Sequence, residues 1–223
     1  MNIVVVSLTR ATERRKNMIK QMEKLPSYHW HILQAVDGGE LSGKQLEKRI
    51  HLPDGYRYGE TMRPAEIATI MSHSNAIKLA KEEDWPYVLI LEDDAVICED
   101  FEKRVNYLLR ILPPDWEHVY LSGIPRVGPF FAPQLSMMNI MPSTFTECIT
   151  STLIRKSVYN KILSYYSFFW TTADDMICAL VSQGMKSYTL YPFVAFSDDK
   201  YSYIWEKEIT RKHPSIKYFR NRL

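Results

Sequence analysis

The densest chemistry in the chain lies in Leu89-Ile90-Leu91-Glu92-Asp93-Asp94. Three adjacent carboxylates repel one another and lose hydration near a buried element, so the arrangement makes most sense where a cation neutralises them. A divalent ion held by two carboxylates and waters would keep positions open for the oxygens of a diphosphate, the usual manner of Mg²⁺ or Mn²⁺. The structural alternative is that Asp93 or Asp94 caps a following helix while the others face water. Ser7, at the end of an apolar run, and Asp37, in Asp37-Gly38-Gly39, sit where turn chemistry alone would also put such residues.

The elements around these groups follow from their periodicity. Residues 87–91 form a continuous apolar run between Trp85-Pro86 and the acidic triplet, the pattern of a central strand buried on both faces. The carboxylates then stand at its carboxyl end, where open α/β sheets bind their ligands. Residues 2–8 read as a strand, the segment to Leu25 as a helix and residues 29–36 as a second strand, a β-α-β opening. Residues 40–63 are polar and Pro/Gly-punctuated, a loop region with one short helix over 46–50. Pro64 opens a helix with Ile67, Ile70, Met71 and Ile77 on its apolar face. Phe101, Val105, Leu108 and Leu112 predict another helix, stopped by Pro113-Pro114, and residues 118–121 a further strand. Residues 123–143, with four prolines, read as a long loop of the kind that serves as a lid or binding flap. A strand over 149–154, helices over 156–165 and 174–183, the latter closed by Gly184, and one or two strands over 187–196 divided by Pro192 complete an α/β alternation.

Composition sets the outer bounds. A chain of 223 residues, 46% hydrophobic, can bury one sizeable core but not two comfortable ones, so a single domain over 1–223 is expected. A net charge of +2 gives no global field favouring nucleic acid, and 13% aromatic residues argue against disorder. Cys98, Cys148 and Cys178 are odd in number and widely spaced, which speaks against a disulfide framework and fits a reducing compartment. No apolar stretch approaches the roughly 18 residues of a membrane span, so the expectation is a soluble, cytoplasmic protein. The tail from Lys207 to Arg222 holds six Lys or Arg; it reads as a solvated terminal helix or a peripheral contact with anionic membrane.

Four blocks in order, Val6-Ser7-Leu8-Thr9-Arg10 with Arg14-Arg15, Ala35-Val36-Asp37-Gly38, Glu66 with Ser72-His73, and Leu89-Ile90-Leu91-Glu92-Asp93-Asp94, resemble glycosyltransferase family 25. That family includes bacterial lipooligosaccharide glycosyltransferases and the collagen galactosyltransferases. Ser151-Thr152-Leu153-Ile154-Arg155 with Tyr159 and Leu163, Asp174-Asp175 and Pro192 extend the similarity over most of the chain. The resemblance implies a GT-A fold with a single mixed sheet and flanking helices, a UDP-sugar donor, Mn²⁺ (or Mg²⁺) and inverting transfer to a hydroxyl. It also implies a nucleotide-sugar and metal-binding half over 1–122, an acceptor-side half over 123–205 and the basic tail over 206–223.

Residue by residue, Glu92-Asp93-Asp94 matches the acidic metal motif, with Asp94 the first choice for direct coordination. Ser7, Leu8 and Arg10 match the nucleotide-side block, and Asp37 the Asp expected near the uracil or ribose. Arg14 and Arg15 could meet a diphosphate, although on an amphipathic helix one of them is expected to be a solvated charge. The family's Gly-Cys between its Glu and Ser-His is absent here, where Ile67-Ala68-Thr69-Ile70-Met71 stands. Glu66 and His73 remain as substrate-binding candidates, with a structural role the simpler reading of His73. An inverting displacement calls for a carboxylate base on the acceptor side, for which Asp174 leads and Asp175 follows; either could equally serve the helix start. Asp199, with Asp198, could supply a late metal ligand or belong to a surface turn. Trp170, closing Tyr165-Tyr166-Ser167-Phe168-Phe169-Trp170, and Trp116 offer aromatic faces to a sugar or to the core.

The expected activity is transfer of a hexose, galactose or glucose, from a UDP-sugar to a glycan or glycolipid such as lipooligosaccharide, with no nucleic-acid partner. The rivals are a non-catalytic binding homologue that kept the fold and a metal-dependent phosphoryl-transfer enzyme using the same carboxylates.

Overall fold

A computed structural model describes residues 1–46, 62–125, 139–143 and 146–198. The chain opens with β1 (Asn2–Ser7), α1 (Thr12–Met22) and β2 (His29–Gln34), the expected β-α-β unit. A 3-10 turn (Gly38–Glu40) and a short α2 (Gly43–Leu46) precede the long α3 (Pro64–Glu82). Then come β3 (Tyr87–Glu92), β4 (Ala95–Ile97), α4 (Phe101–Ile111), β5 (His118–Tyr120), β6 (Ile124–Pro125), β7 (Asn139–Pro142), β8 (Thr146–Glu147) and β9 (Ser151–Arg155). The described chain ends with α5 (Tyr159–Tyr165), α6 (Ala173–Ser182), β10 (Ser187–Tyr191) and β11 (Ala195–Ser197).

Seven strands form one mixed sheet in the order β2-β1-β3-β9-β5-β10-β7. β1 runs parallel to both β2 and β3, whereas β9 is antiparallel to β3 and β5. Strand alternation divides the core into two sides. Val4, Val6, Val88 and Ile90 pack with Ile67, Ile70, Ile77, Ile162 and Met176 of α3, α5 and α6. Ile3, Val5, Leu89 and Leu91 turn the other way, onto Met18 and Met22 of α1 and Phe101, Val105 and Leu108 of α4. Helices therefore cover both faces, and β3 is the doubly buried central strand that its apolar run predicts.

α6 ends as predicted at Gly184, whose φ of +93° favours glycine. The N–H groups of Gly184 and Met185 close the helix on the carbonyls of Val181 and Leu180. The reading of residues 123–143 as loop is corrected at its end, because β7 pairs antiparallel with β10 at the sheet margin. Its Pro142 is tolerated at an edge position, where a missing N–H breaks no central ladder. β4 and β11 form a separate two-stranded ribbon; β11 falls at the second strand read after Pro192, whereas β4, at three residues, is too short to show alternation. Residues 47–50 of the helix expected over 46–50, residues 126–138 of the expected flap, and the basic tail lie outside the described residues. Among the described residues no helix is long and apolar enough to cross a membrane.

His118 ties β5 to both of its neighbours. Its ring is fully buried, 2.9 Å from Ser187 Oγ of β10 through Nδ1 and 2.8 Å from Thr152 Oγ1 of β9 through Nε2. Desolvation holds its pKa down at about 3. The unfolded chain takes up this proton near pH 6.5 and the folded chain refuses it until about pH 3. The contribution is therefore fully present above pH 6.5 and is lost as pH falls through that window, by at most about 1.4 kcal/mol per pH unit. His118→Gln has no such proton to accept. The gap between its melting temperature and that of the wild type should narrow from pH 7 to pH 4; a constant gap would contradict this account.

Candidate active site

A cleft of about 620 Å³ opens at the carboxyl ends of β1, β2 and β3, a volume within the range of small-molecule sites. Among its lining residues three arginines, Arg10, Arg14 and Arg63, face four carboxylates, Asp37, Glu92, Asp93 and Asp94. Leu8, Gly38, Thr69, Ser72 and His73 complete much of the wall. Of the residues singled out in the sequence, Leu8, Arg10, Asp37, His73, Glu92, Asp93 and Asp94 thus meet in one place. Ser7 lies just beneath them, 1% exposed.

The end of β3 directs each carboxylate to a different partner. Glu92 Oε1 lies 3.1 Å from Nε2 of the buried His73, which α3 supplies. Asp93 accepts from Ser7 Oγ at 2.8 Å and from Arg14 Nη1 at 3.1 Å. Asp94 Oδ2 accepts from Ser197 Oγ at 2.9 Å and lies 3.8 Å from Arg14 Nη2. Its other oxygen, Oδ1, is buried with no hydrogen-bond partner among the described residues. Burial is the main force pushing the Asp93 carboxyl above its ordinary range, against Ser7 and Arg14, which pull it down. Burial followed by the charge of Glu92 does the same to Asp94.

Both arginines of the first turn of α1 point inward, which corrects the expectation that one of them is solvated. Arg14 stands four and eight residues before the buried Met18 and Met22, so it extends their helix face toward the sheet's carboxyl end. Arg15 donates to the Ser7 carbonyl at 3.0 Å and reaches Ser7 Oγ at 3.4 Å. At the rim, Arg10 Nε pairs with Asp37 Oδ2 at 2.6 Å, and Gly39 N–H donates to Asp37 Oδ1 at 3.0 Å. The Arg10 guanidinium holds the Asp37 carboxyl below its ordinary range.

Other candidates lie elsewhere. Glu66 does not line the cleft; its Oε2 accepts from Arg63 N–H at 2.8 Å and so caps α3. Asp174 and Asp175 are likewise absent from the lining. Asp174 accepts from the backbone N–H of Cys148 at 3.3 Å and of Asp175 at 3.1 Å, and Thr171 Oγ1 donates to Asp175 at 3.1 Å. The Asp174 contact steadies Cys148, a non-glycine residue at φ 68°. Burial, and then the charges of Asp174 and Glu92, push the Tyr166 phenol up. Trp170 packs at the margin of the α3-α5-α6 core rather than on the cleft. Trp116 is 7% exposed, with the Arg155 guanidinium 5.6 Å from its ring centroid. Asp199 lies outside the described residues, while its neighbour Asp198 donates its N–H to the Asp94 carbonyl at 2.7 Å.

Arg63 and Ser72 are the cleft residues to which sequence reasoning gave no task. Ser72 Oγ accepts from Val36 N–H at 2.9 Å, stitching α3 to the segment after β2. Among the described residues, no three His, Cys, Asp or Glu side chains converge as a ready metal cage. Asp93 and Asp94 do fit a two-carboxylate site completed by water and ligand oxygens, and the unpartnered Asp94 Oδ1 is a hard anionic donor of the kind such ions take.

The family described as Glycosyltransferase family 25 (LPS biosynthesis protein) matches residues 1–176. Human Procollagen galactosyltransferase 2 is 29% identical over 127 residues, 54% of this chain and 20% of that protein. Mouse Inactive glycosyltransferase 25 family member 3 is 26% identical over 134 residues, 57% of this chain and 22% of that protein. The match thus spans about a fifth of those relatives' length. Among solved structures, a glycosyltransferase involved in glycosylation of the major capsid of PBCV-1 superposes with a TM-score of 0.51 at 10% identity, covering 90% of this chain and 94% of that one. This last likeness concerns the fold.

Gly38 sets the width of the cleft. A methyl group there would lie 2.7 Å from the Ala65 Cα and N and 2.8 Å from the Pro64 carbonyl carbon, so the backbones after β2 and before α3 could not keep their approach. Gly38→Ala should cost about 1–3 kcal/mol in urea unfolding, the range for overpacking. Gly39→Ala, with its added methyl 3.5 Å from Asp37 Oδ1, at ordinary contact distance, should stay within about 0.5 kcal/mol of wild type. Equal losses would show that the close approach is not the constraint.

Proposed function

Because the chain belongs to glycosyltransferase family 25 and has the α/β GT-A fold with one mixed seven-stranded sheet, we propose that it transfers a hexose from a UDP-sugar to a hydroxyl of a glycan or glycolipid acceptor. Galactose or glucose is the sugar in this reading, and lipooligosaccharide is a representative acceptor. The observation that carries it is the mixed-charge cleft at the sheet's carboxyl edge, where the arginines suit a diphosphate and the acidic pair suits a divalent ion.

Asp93 and Asp94 would hold Mn²⁺ (or Mg²⁺), which when bound supplies Lewis-acid neutralisation of a departing diphosphate. The chain's own residues do the rest. Ser7 and His73 hold Asp93 and Glu92 in fixed rotamers, so the acidic edge meets its ligand already oriented. Asp37, beside Gly38 and Gly39 on the neighbouring wall, is placed for the ribose or base, and Arg10 and Arg63 for phosphate oxygens. Asp174, in the first turn of α6, would take the proton of the acceptor hydroxyl, with Asp175 beside it as the alternative.

A second reading, a non-catalytic family member, is favoured by one observation: a relative 26% identical over 134 residues bears the name inactive. Nucleotide release from a panel of UDP-sugars, with Mn²⁺ and with chelator, separates the two. One donor should give Mn²⁺-dependent UDP release, and Asp94→Asn should lower it on the order of 100-fold or more. Binding of UDP without turnover of any donor, in the presence of glycan acceptors, would favour the non-catalytic reading. Inorganic phosphate as product would instead indicate phosphoryl transfer. Asp174→Asn should leave UDP binding within about twofold while sugar transfer falls by about 10²–10⁴; wild-type transfer by that variant would remove Asp174 from the mechanism.

A further inference from the structure

Arg14 occupies an unusual position for a cleft arginine. Its side chain is 21% exposed, and its two terminal nitrogens address different carboxylates, Nη1 to Asp93 Oδ1 at 3.1 Å and Nη2 to Asp94 Oδ2 at 3.8 Å. The carboxylates are themselves largely enclosed, at 9% and 20% exposure. A divalent ion on this pair needs oxygens of both carboxylates at about 2.0–2.2 Å, so it competes with the guanidinium for the same edge. Two cations at that separation in a poorly hydrated site also repel strongly. The other arginine of the cleft described in detail, Arg10, pairs with Asp37 at the rim.

We propose that Arg14 is a built-in counter-ion for Asp93 and Asp94, which a divalent metal must displace and which then turns to the diphosphate of the incoming nucleotide. The inference rests on the metal-dependent reading given above. In the metal-free protein the guanidinium keeps the acidic pair folded into the site and makes the metal alone bind weakly. A diphosphate in the cleft gives the displaced guanidinium a new bidentate partner, so metal and nucleotide each strengthen the binding of the other. Arg14 lies one helical turn before Met18 and lines the same cleft as Arg10 and Arg63, the other groups given to the diphosphate. Arg15, held on Ser7, stays behind to anchor the end of β1.

Free Mn²⁺ measured by electron paramagnetic resonance, with the full chain and with and without UDP, tests this without turnover. Wild type should bind Mn²⁺ weakly alone and on the order of 10-fold more tightly with UDP, within the usual span of coupling between sites. Arg14→Gln should bind Mn²⁺ alone on the order of 10-fold more tightly than wild type and lose most of the enhancement by UDP. Arg14→Met, which keeps the packing of the stem, repeats the measurement should the Gln variant fail to fold. Lys16→Gln removes the same charge from the exposed face of α1, where Lys16 pairs with Glu13 outside the cleft, and should leave Mn²⁺ binding within about twofold of wild type. If Arg14→Gln binds Mn²⁺ no better than wild type, or if Lys16→Gln tightens it equally, the counter-ion role is overturned while the metal reading stands. If none of the proteins binds Mn²⁺ even with UDP, the metal reading falls, and the proposal with it.

Discussion

Two carboxylates at the end of a strand buried on both faces have to be neutralised, and much of the architecture around β3 serves that need. Asp93 and Asp94 cannot retreat into water, because β1 and β9 flank their strand and α1 closes over one side. Their compensation comes from four separate places in the chain: Ser7 at the end of β1, Arg14 in α1, His73 in α3 acting on the adjoining Glu92, and Ser197 in β11. Each partner lies at the carboxyl side of the sheet, so the electrostatic requirement and the topological rule for ligand sites select the same edge.

The ribbon of β4 and β11 explains how the last described strand comes to matter here. The chain leaves β3 through Asp93 and Asp94 and immediately pairs Ala95 with Ser197. That register puts the Ser197 hydroxyl on Asp94 and the Asp198 N–H on the Asp94 carbonyl, joining positions about a hundred residues apart. On the opposite wall, the segment after β2 is clamped to α3 through Ser72 and the close approach of Gly38, which fixes the distance between the acidic edge and Asp37. The cleft is thus built by backbone contacts between loops whose sequences show only ordinary turn residues.

Much of the frame was legible because its elements are long enough to display a period. β1, β3, α3 and α4 carry unbroken apolar patterns, and the strand ahead of Glu92-Asp93-Asp94 located those carboxylates at a sheet edge before any coordinates. Leu8, Arg10, Asp37 and His73 were named from the family resemblance and do converge on the cleft. What escaped was information that no local pattern holds. β4 and β7 owe their existence to partners distant in sequence. Glu66 reads as a cleft acid but is consumed three residues back, by the backbone of Arg63. Asp174 and Asp175 share their composition with any helix start, and their local hydrogen bonds are what such a start dictates. Arg14, read beside Arg15 as a contact for diphosphate, could have been told apart from a solvated charge: its spacing to Met18 and Met22 places it on the buried face, and a charge on a buried face needs a partner.

The same electrostatics bear on how activity and fold can part company within this family. The hydrophobic packing on the two faces of the sheet involves none of the cleft carboxylates, so it supports the fold whether or not they are present. Asp94 works against stability, since a buried carboxylate oxygen without a hydrogen-bond partner keeps its desolvation cost uncompensated. A chain released from the need for chemistry would gain stability by replacing such a group with one that is uncharged, while the α1, α3 and β-sheet scaffold remained as before. Loss of turnover with retention of the GT-A frame is therefore the expected path of decay. The presence of all three carboxylates here, still held by Arg14, Ser7, His73 and Ser197, is the physical reason for weighing the catalytic reading above the inactive one.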